Sequence, residues 1–338
     1  MTYGAIDLHT RHSQIRIVDD EGHVLSDQRV VTTAERLVGA FARYTGTRIL
    51  VEASTESEWV AQALEAAGHP VIVADPNYAP MYGEVRRKVK TDRRDAAALA
   101  EANRRGWYRA VHRVSAAQRA RRQVLRSRRH LVRMRSGTIS LIRTLLRQEG
   151  YRLPPCSAPA VPMRVTSLGL PSALRATVAP LTEVLRRLSE EIATLDRDLA
   201  GAATADPIVR RLMTVPGIGP VVALTFRAFV DDVRRFHTAG QVSAAIGVVP
   251  REDSSAERRH RGHITKAGPR ELRSLLVQAA WVCWRRAHPS GTLHAWTEHL
   301  AARRGRRIAV VALARRLSRI LYALWRDETD FNAATLAT

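Results

Sequence analysis

From about Ser115 to Leu199 the chain repeats its apolar residues at the spacing of long, packed helices. This constrains the fold more than any other feature. Leu125, Val132, Ile139 and Leu146 recur every seven residues, a period that keeps one seam of a helix turned toward a partner. After a proline-rich break at 153–162, Val178, Leu181, Leu185, Leu188, Ile192, Leu195 and Leu199 follow in three-four spacing. Two such helices joined by a loop can close as an antiparallel hairpin, face a second copy of the chain, or do both. The sequence therefore reads as an arginine-rich heptad segment over 111–204 between two globular regions, 1–110 and 205–330, with a short tail at 331–338.

The first region opens with strand signals. Tyr3 to Val31 reads as three short strands, with Ile15 and Ile17 alternating and a turn at Asp19-Asp20-Glu21-Gly22. A helix is expected over about 33–44. The short apolar runs Ile49-Leu50-Val51 and Val71-Ile72-Val73 suit strands buried on both faces. Helices are expected at 57–67 and 92–105, which gives three antiparallel strands followed by β-α-β-α. The last region reads as helical, with apolar faces at about 269–288 and 306–326.

A formal charge of +22, carried mostly by arginine, points to a polyanionic partner, because a guanidinium stays charged and grips phosphate with a planar fork. A membrane span is not expected, since Arg315, Arg316 and Arg319 interrupt the most apolar C-terminal stretch. The first residues lack the pattern of a signal peptide. Cys156 and Cys283 alone form no disulfide framework or zinc cluster. A cytoplasmic, nucleoid-associated location is the expectation.

Four carboxylates carry the chemistry. Asp7 ends the first strand and Glu52 ends Ile49-Leu50-Val51-Glu52, so if these strands are neighbours both acids emerge at one sheet edge. Asp92 and Asp95, three residues apart, share a face at the start of a helix. Clustered, the four would repel one another, and Mg²⁺, as two ions per site, would relieve the repulsion and clamp a phosphodiester. Either acid pair could instead be an ordinary turn or helix-start carboxylate.

Farther on, Leu212-x-x-x-Pro216-Gly217-Ile218-Gly219-Pro220 has the form of a helix-hairpin-helix, in which Gly217 and Gly219 would let backbone N–H groups approach a phosphate. A tight interhelical turn is the alternative. Ser254 and Ser255 lie in a polar stretch, read as a loop, before Arg258, Arg259, His260 and Arg261. Arg121, Arg122, Arg126, Arg128 and Arg129 of the heptad segment, with Arg258, Arg259 and Lys266, are the candidate nucleic-acid contacts. His9 and His12 read as a surface pair rather than zinc ligands, and Trp281 and Trp284 as core.

Gly4-Ala5-Ile6-Asp7-Leu8-His9, Val51-Glu52-Ala53-Ser54 and Lys90-Thr91-Asp92-Arg93-Arg94-Asp95-Ala96 resemble the DEDD motifs of the bacterial transposases of insertion-sequence family 110. The resemblance continues through Pro216-Gly217-Ile218-Gly219 and Gly247-Val248-Val249-Pro250 to Gly262-His263-Ile264-Thr265-Lys266-Ala267-Gly268. It implies a RuvC-like, ribonuclease H-type first domain, a coiled-coil insert and a helical C-terminal transposase domain. It also implies a serine nucleophile five residues after a proline, which counts from Pro250 to Ser255, with Ser254 as fallback. Ala256 and Glu257 stand where the family has glycines, which implies a stiffer loop. Strand exchange would run through a phosphoserine link. The partners implied are donor and target DNA, a noncoding bridge RNA that reads sequence by pairing, and further copies of the chain, a dimer assembling to a tetramer with its site completed across protomers. The alternatives are a RuvC-like junction nuclease that uses water alone, and a noncatalytic nucleic-acid scaffold.

Overall fold

Three antiparallel strands, β1 (Tyr3–Asp7), β2 (His12–Val18) and β3 (Val24–Val31), form one side of a five-stranded sheet. After α1 (Ala34–Phe41), β4 (Arg48–Glu52) adds parallel to β1. After α2 (Ser57–Ala66), β5 (Val71–Ala74) adds parallel to β4, for a strand order β3-β2-β1-β4-β5. β3 and β4 run the same way on opposite sides of β1 and β2, so the chain must cross over between them, and α1 lies in that crossover. In this computed structural model residues 1–82, 91–255, 258–286 and 291–332 are described, Tyr82 and residues 253–255 and 258–261 through their backbone alone.

The pleat sorts the side chains of β1 and β4 onto two faces. Ile6, Ile49 and Val51 pack with Leu37 and Phe41 of α1 and Val60 and Leu64 of α2. Ala5 and Leu50 face the other way, against Leu99, Ala100 and Ala102 of α3 (Asp92–Arg105). β1 and β4 are thus covered on both sides, which is why their sequence runs are continuously apolar. β3, at the sheet edge, is the most exposed strand. These elements form one compact unit, 1–114.

The second unit, 115–338, is mainly helical. The long helices α4 (Ala116–Gln148) and α6 (Ser172–Ala205) pack on each other, and the short α5 (Val161–Thr166) helps close one end. Ile142 and Leu146 of α4 meet Val178 and Leu185 of α6 there, while Leu125 and Leu199 join the larger core of the unit. That core is built on α7 (Pro207–Leu212), α8 (Pro220–Val230), α9 (Ala239–Ile246), α10 (Arg270–Arg286), α11 (Thr292–Arg304) and α12 (Arg306–Arg326). Leu313, Ala314, Leu317 and Leu321 of α12 are fully buried. Trp284 is buried in this core and stacks on Trp281 at 5.3 Å between ring centroids.

The expected polar loop at Ser254 and Ser255 is corrected: β6 (Pro250–Ser255) and β7 (Arg258–Ile264) form a two-stranded antiparallel hairpin. Its strands, PREDSS and RRHRGHI, carry almost no apolar residues. A ribbon with so few apolar residues has no hydrophobic alternation to reveal it. Among the described residues, no helix is long and apolar enough to cross a membrane.

Candidate active site

Asp7 and Glu52 leave the sheet side by side. β1 and β4 run parallel with Ile6 opposite Val51, so their last residues reach the same edge. Each lies two residues beyond a side chain packed under α3, Ala5 or Leu50, so both belong to the α3 face of the pleat. α3 starts at this edge because its far end is fastened to the strand starts. Asn103, fully buried, donates from Nδ2 to Gly4 O at 2.8 Å and to Arg48 O at 2.7 Å, and Arg48 Nε donates to Asn103 Oδ1 at 3.0 Å. The helix therefore runs back along β1 and brings its first turn, with Asp92 and Asp95, over the strand ends. Thr91 caps that turn by accepting the Arg94 N–H at 3.4 Å, and Arg93 Nε donates to Asp27 Oδ2 of β3 at 2.8 Å.

Asp7 is the innermost of the acids, only 9% exposed. Burial pushes its carboxyl above the ordinary value. The imidazole of His9 acts in the opposite direction, and the charges of Asp95 and Asp92 push it further up. His9 Nε2 lies 3.3 Å from Asp7 Oδ2 and 3.7 Å from Asp92 Oδ1. Ligand atoms of Asp7, His9 and Asp92 fall within 4.8 Å of one another. Crowded carboxylates in a partly desolvated position suit a hard divalent cation, whose charge would offset their mutual repulsion. In a second group, Asp19, Glu21 and His23, Asp19 is half-buried and the other two are exposed. There Asp19 Oδ1 accepts backbone N–H groups of Glu21, Gly22 and His23, so its carboxylate shapes the β2–β3 turn.

Sequence reading missed His9, Asp27 and Asn103 as parts of this site. His9 two residues after Asp7 was the one available signal. Asn103 is a lone polar residue on an amphipathic helix, and nothing in its spacing announces a clamp.

In the second unit, Gly217 and Gly219 separate α7 from α8. Gly217 has φ +85, and a Cβ there would lie 2.6 Å from Ala279 O and 2.9 Å from Cys283 N of α10. Close helix packing demands glycine at this position. A Cβ on Gly219, the residue preceding α8, would meet nothing within 4 Å, so that side of the turn is open.

The hairpin pairs Ser254 with Arg259 and Ser255 with Arg258, which brings the two serines and two of the candidate arginines into one short ladder. The side chains of these four residues, and Ala256 and Glu257 altogether, lie outside the described residues. The hairpin base is tightly built. A Cβ on Gly247 would strike the backbone of Ala267, and one on Gly268 would strike Ala245 O, both glycines having positive φ. Thr265 N–H donates to Val249 O at 2.9 Å, and Arg273 Nη1 donates to Ile246 O at 2.9 Å and Ala267 O at 2.7 Å. Lys266, at φ 56, sits in this junction.

The arginines of α4 divide into two groups. Arg121 pairs with Asp206 at 3.0 Å, Arg128 with Asp196, and Arg129 with Glu271 at 3.1 Å. Arg122 Nε donates to Ala228 O at 2.9 Å, and burial pushes its guanidinium pKa down. Arg126 is exposed.

Comparison with known proteins covers nearly the whole chain. Residues 5–150 match the profile of an insertion-sequence DEDD transposase domain, described as "Transposase", and residues 209–295 match "Transposase IS116/IS110/IS902 family". A probable family 20 transposase of Pseudomonas aeruginosa is 31% identical, covering 96% of this chain and 97% of its own length. The transposase for insertion sequence element IS1111A of Coxiella burnetii is 30% identical over 96% of this chain and 90% of its own. The transposase for insertion sequence element IS1328 of Yersinia enterocolitica is 27% identical over 98% and 99%. With both profile segments in order and relatives matched end to end, the chain belongs to the IS116/IS110/IS902 family and is a transposase, an enzyme that cleaves and rejoins DNA.

Proposed function

We propose that this transposase cuts and exchanges insertion-sequence DNA with Asp7, Glu52, Asp92 and Asp95 as holders of divalent cations and Ser255 as the nucleophile. The observation that carries the reading is the buried Asp7 carboxyl, crowded by Asp92 and Asp95 at the end of the strand beside Glu52. Mg²⁺, as two ions, is the cation proposed, and bound there it would stabilise charge on the phosphate and on the leaving oxygen. The strand order and the acids at the strand ends support a ribonuclease H-like, RuvC-type fold for 1–110. Residues 111–204 are then the heptad arm and 205–330 the part that carries the serine.

In the proposed reaction the Ser255 hydroxyl gives its proton to a base and its oxygen attacks phosphorus. The P–O bond to the leaving strand breaks, and that strand departs with a protonated hydroxyl. The phosphoserine ester keeps the bond energy, so a second strand's hydroxyl can displace the serine and rejoin the DNA. Ser254 is the alternative nucleophile. Guidance by a noncoding bridge RNA and assembly of dimers into a tetramer are part of the same proposal. Sequence reading by RNA would leave the protein to bind backbone, which suits the distribution of charge: residues 1–114 are close to neutral, and the second unit carries nearly all of the +22. Arg126, Gly219, Arg258, Arg259 and Lys266 are proposed backbone contacts, and the inward-facing Arg121, Arg122, Arg128, Arg129 and Gly217 chiefly hold the fold.

The test incubates full-length protein with labelled substrate DNA, the element's flanking RNA and Mg²⁺, then denatures it. A protein–DNA adduct lost in Ser255→Ala and kept in Ser254→Ala supports the reading. Free cut ends, with Ser255→Ala fully active, contradict it and leave a hydrolytic nuclease.

A further inference from the structure

We infer that a cavity of about 730 Å³ between α9, α11 and α12 seats the phosphodiester backbone of a nucleic-acid strand. It shares no residue with the acidic cluster or the hairpin, and it stands even if the proposed chemistry fails. Arg315, Arg316 and Arg319 line it from α12, opposite Trp296 of α11 and Ala239 at the start of α9. These are the three cations that interrupt the apolar C-terminal stretch carried by α12, whose other face fills the core.

Three observations give the cavity a ligand class. First, Arg315 Nε is buried and makes no hydrogen bond among the described residues. A buried guanidinium N–H without an acceptor is costly unless a ligand offers one. Second, Arg316 lies over the Trp296 ring at 4.9 Å, and burial, then the charge of Arg319, pushes its pKa down. The site thus gathers positive charge at a cost. Third, among the described residues no carboxylate lines the cavity. Glu298, the acid of α11 nearest in sequence to Trp296, accepts Trp284 Nε1–H at 2.9 Å and pairs with His294. Ala239 places the positive end of the α9 helix dipole at the cavity wall. Guanidinium forks converging without an acid fit phosphate oxygens, and the volume accommodates a nucleotide unit rather than a bare ion.

Fluorescence anisotropy with labelled single-stranded DNA and RNA of one sequence, over a range of KCl, tests this on full-length Arg319→Gln and Arg315→Gln/Arg319→Gln. The double variant should bind roughly tenfold more weakly. Its log–log salt slope should be lower by about 1.4, at roughly 0.7 for each phosphate that is no longer neutralised. Its melting temperature should not fall, because the buried Arg315 Nε–H that lacks an acceptor has been removed. The exposed Arg319→Gln should show part of the loss with no question of folding. Loss for DNA alone assigns the seat to a DNA strand, loss for RNA alone to an RNA strand, and equal loss to the shared backbone chemistry. Wild-type affinity and slope for both polymers would overturn the inference. So would a loss seen only where the melting temperature falls, or protection by inorganic phosphate with polymer binding untouched.

Discussion

Asp7 is where function and stability pull apart. Its carboxyl titrates above the ordinary value because the site is desolvated and because Asp95 and Asp92 lie close. The folded state therefore holds this proton more tightly than the unfolded chain does. Its contribution to stability is greatest below the ordinary carboxylate range and declines as pH rises through the raised value. At neutral pH, without divalent cation, Asp7→Asn should melt at or above the wild-type temperature while losing cleavage. The wild type alone should lose stability across that acidic window, and Mg²⁺ should raise the melting temperature of the wild type but not of Asp7→Asn. A variant that melts lower at neutral pH would show Asp7 to be a structural acid. The acids themselves were legible, since strand ends and an i, i+3 pair are periodic facts. What orients them was not: Asn103 and Asp27 act through hydrogen bonds that span 55 to 99 residues of sequence, and no local pattern encodes such reach.

Among elements, the hairpin β6–β7 depends most on its foundation. A two-stranded ribbon with no apolar face is marginal alone, so the interlock of Gly247 and Gly268 with Arg273 must hold it. Gly268→Ala places a methyl against Ala245 O at positive φ and should cost on the order of 2–4 kcal/mol, with loss of activity. Gly262→Ala, within β7, meets nothing within 4 Å and should fold as the wild type does. Denaturant titration of the two variants checks the contrast, and equal stability would mean that the base is not the support. The hairpin also marks the limit of what could be read from sequence. Helices α4, α6, α10 and α12 declare themselves because each buries a stripe of apolar residues, and the buried strands because each is a short apolar run. The hairpin, whose strands are almost wholly polar in sequence, gives no hydrophobic period to read.

At the scale of the molecule, charge is divided unequally between the units. A nearly neutral sheet unit bears the clustered acids, and an arginine-rich helical unit bears nearly all the positive charge. Nucleic-acid affinity should accordingly fall steeply with salt. Composition announced the polyanion partner but not which arginines face it, because burial is a property of the packed fold. Arg126→Gln should weaken binding and reduce the salt slope by about 1. Arg122→Gln, whose native guanidinium turns inward onto Ala228 O, should leave the slope unchanged. Anisotropy over a salt series separates them, and equal slopes for both variants would contradict the assignment. The central claim, that the strand-end carboxylates and the first turn of α3 form a cation site, is tested most directly by anomalous diffraction from crystals soaked in Mn²⁺. The account predicts a peak among the oxygens of Asp7, Glu52, Asp92 and Asp95 that is absent in Asp7→Asn. A peak confined to the exposed Asp19, Glu21 and His23 turn, or none at the quartet, would contradict it.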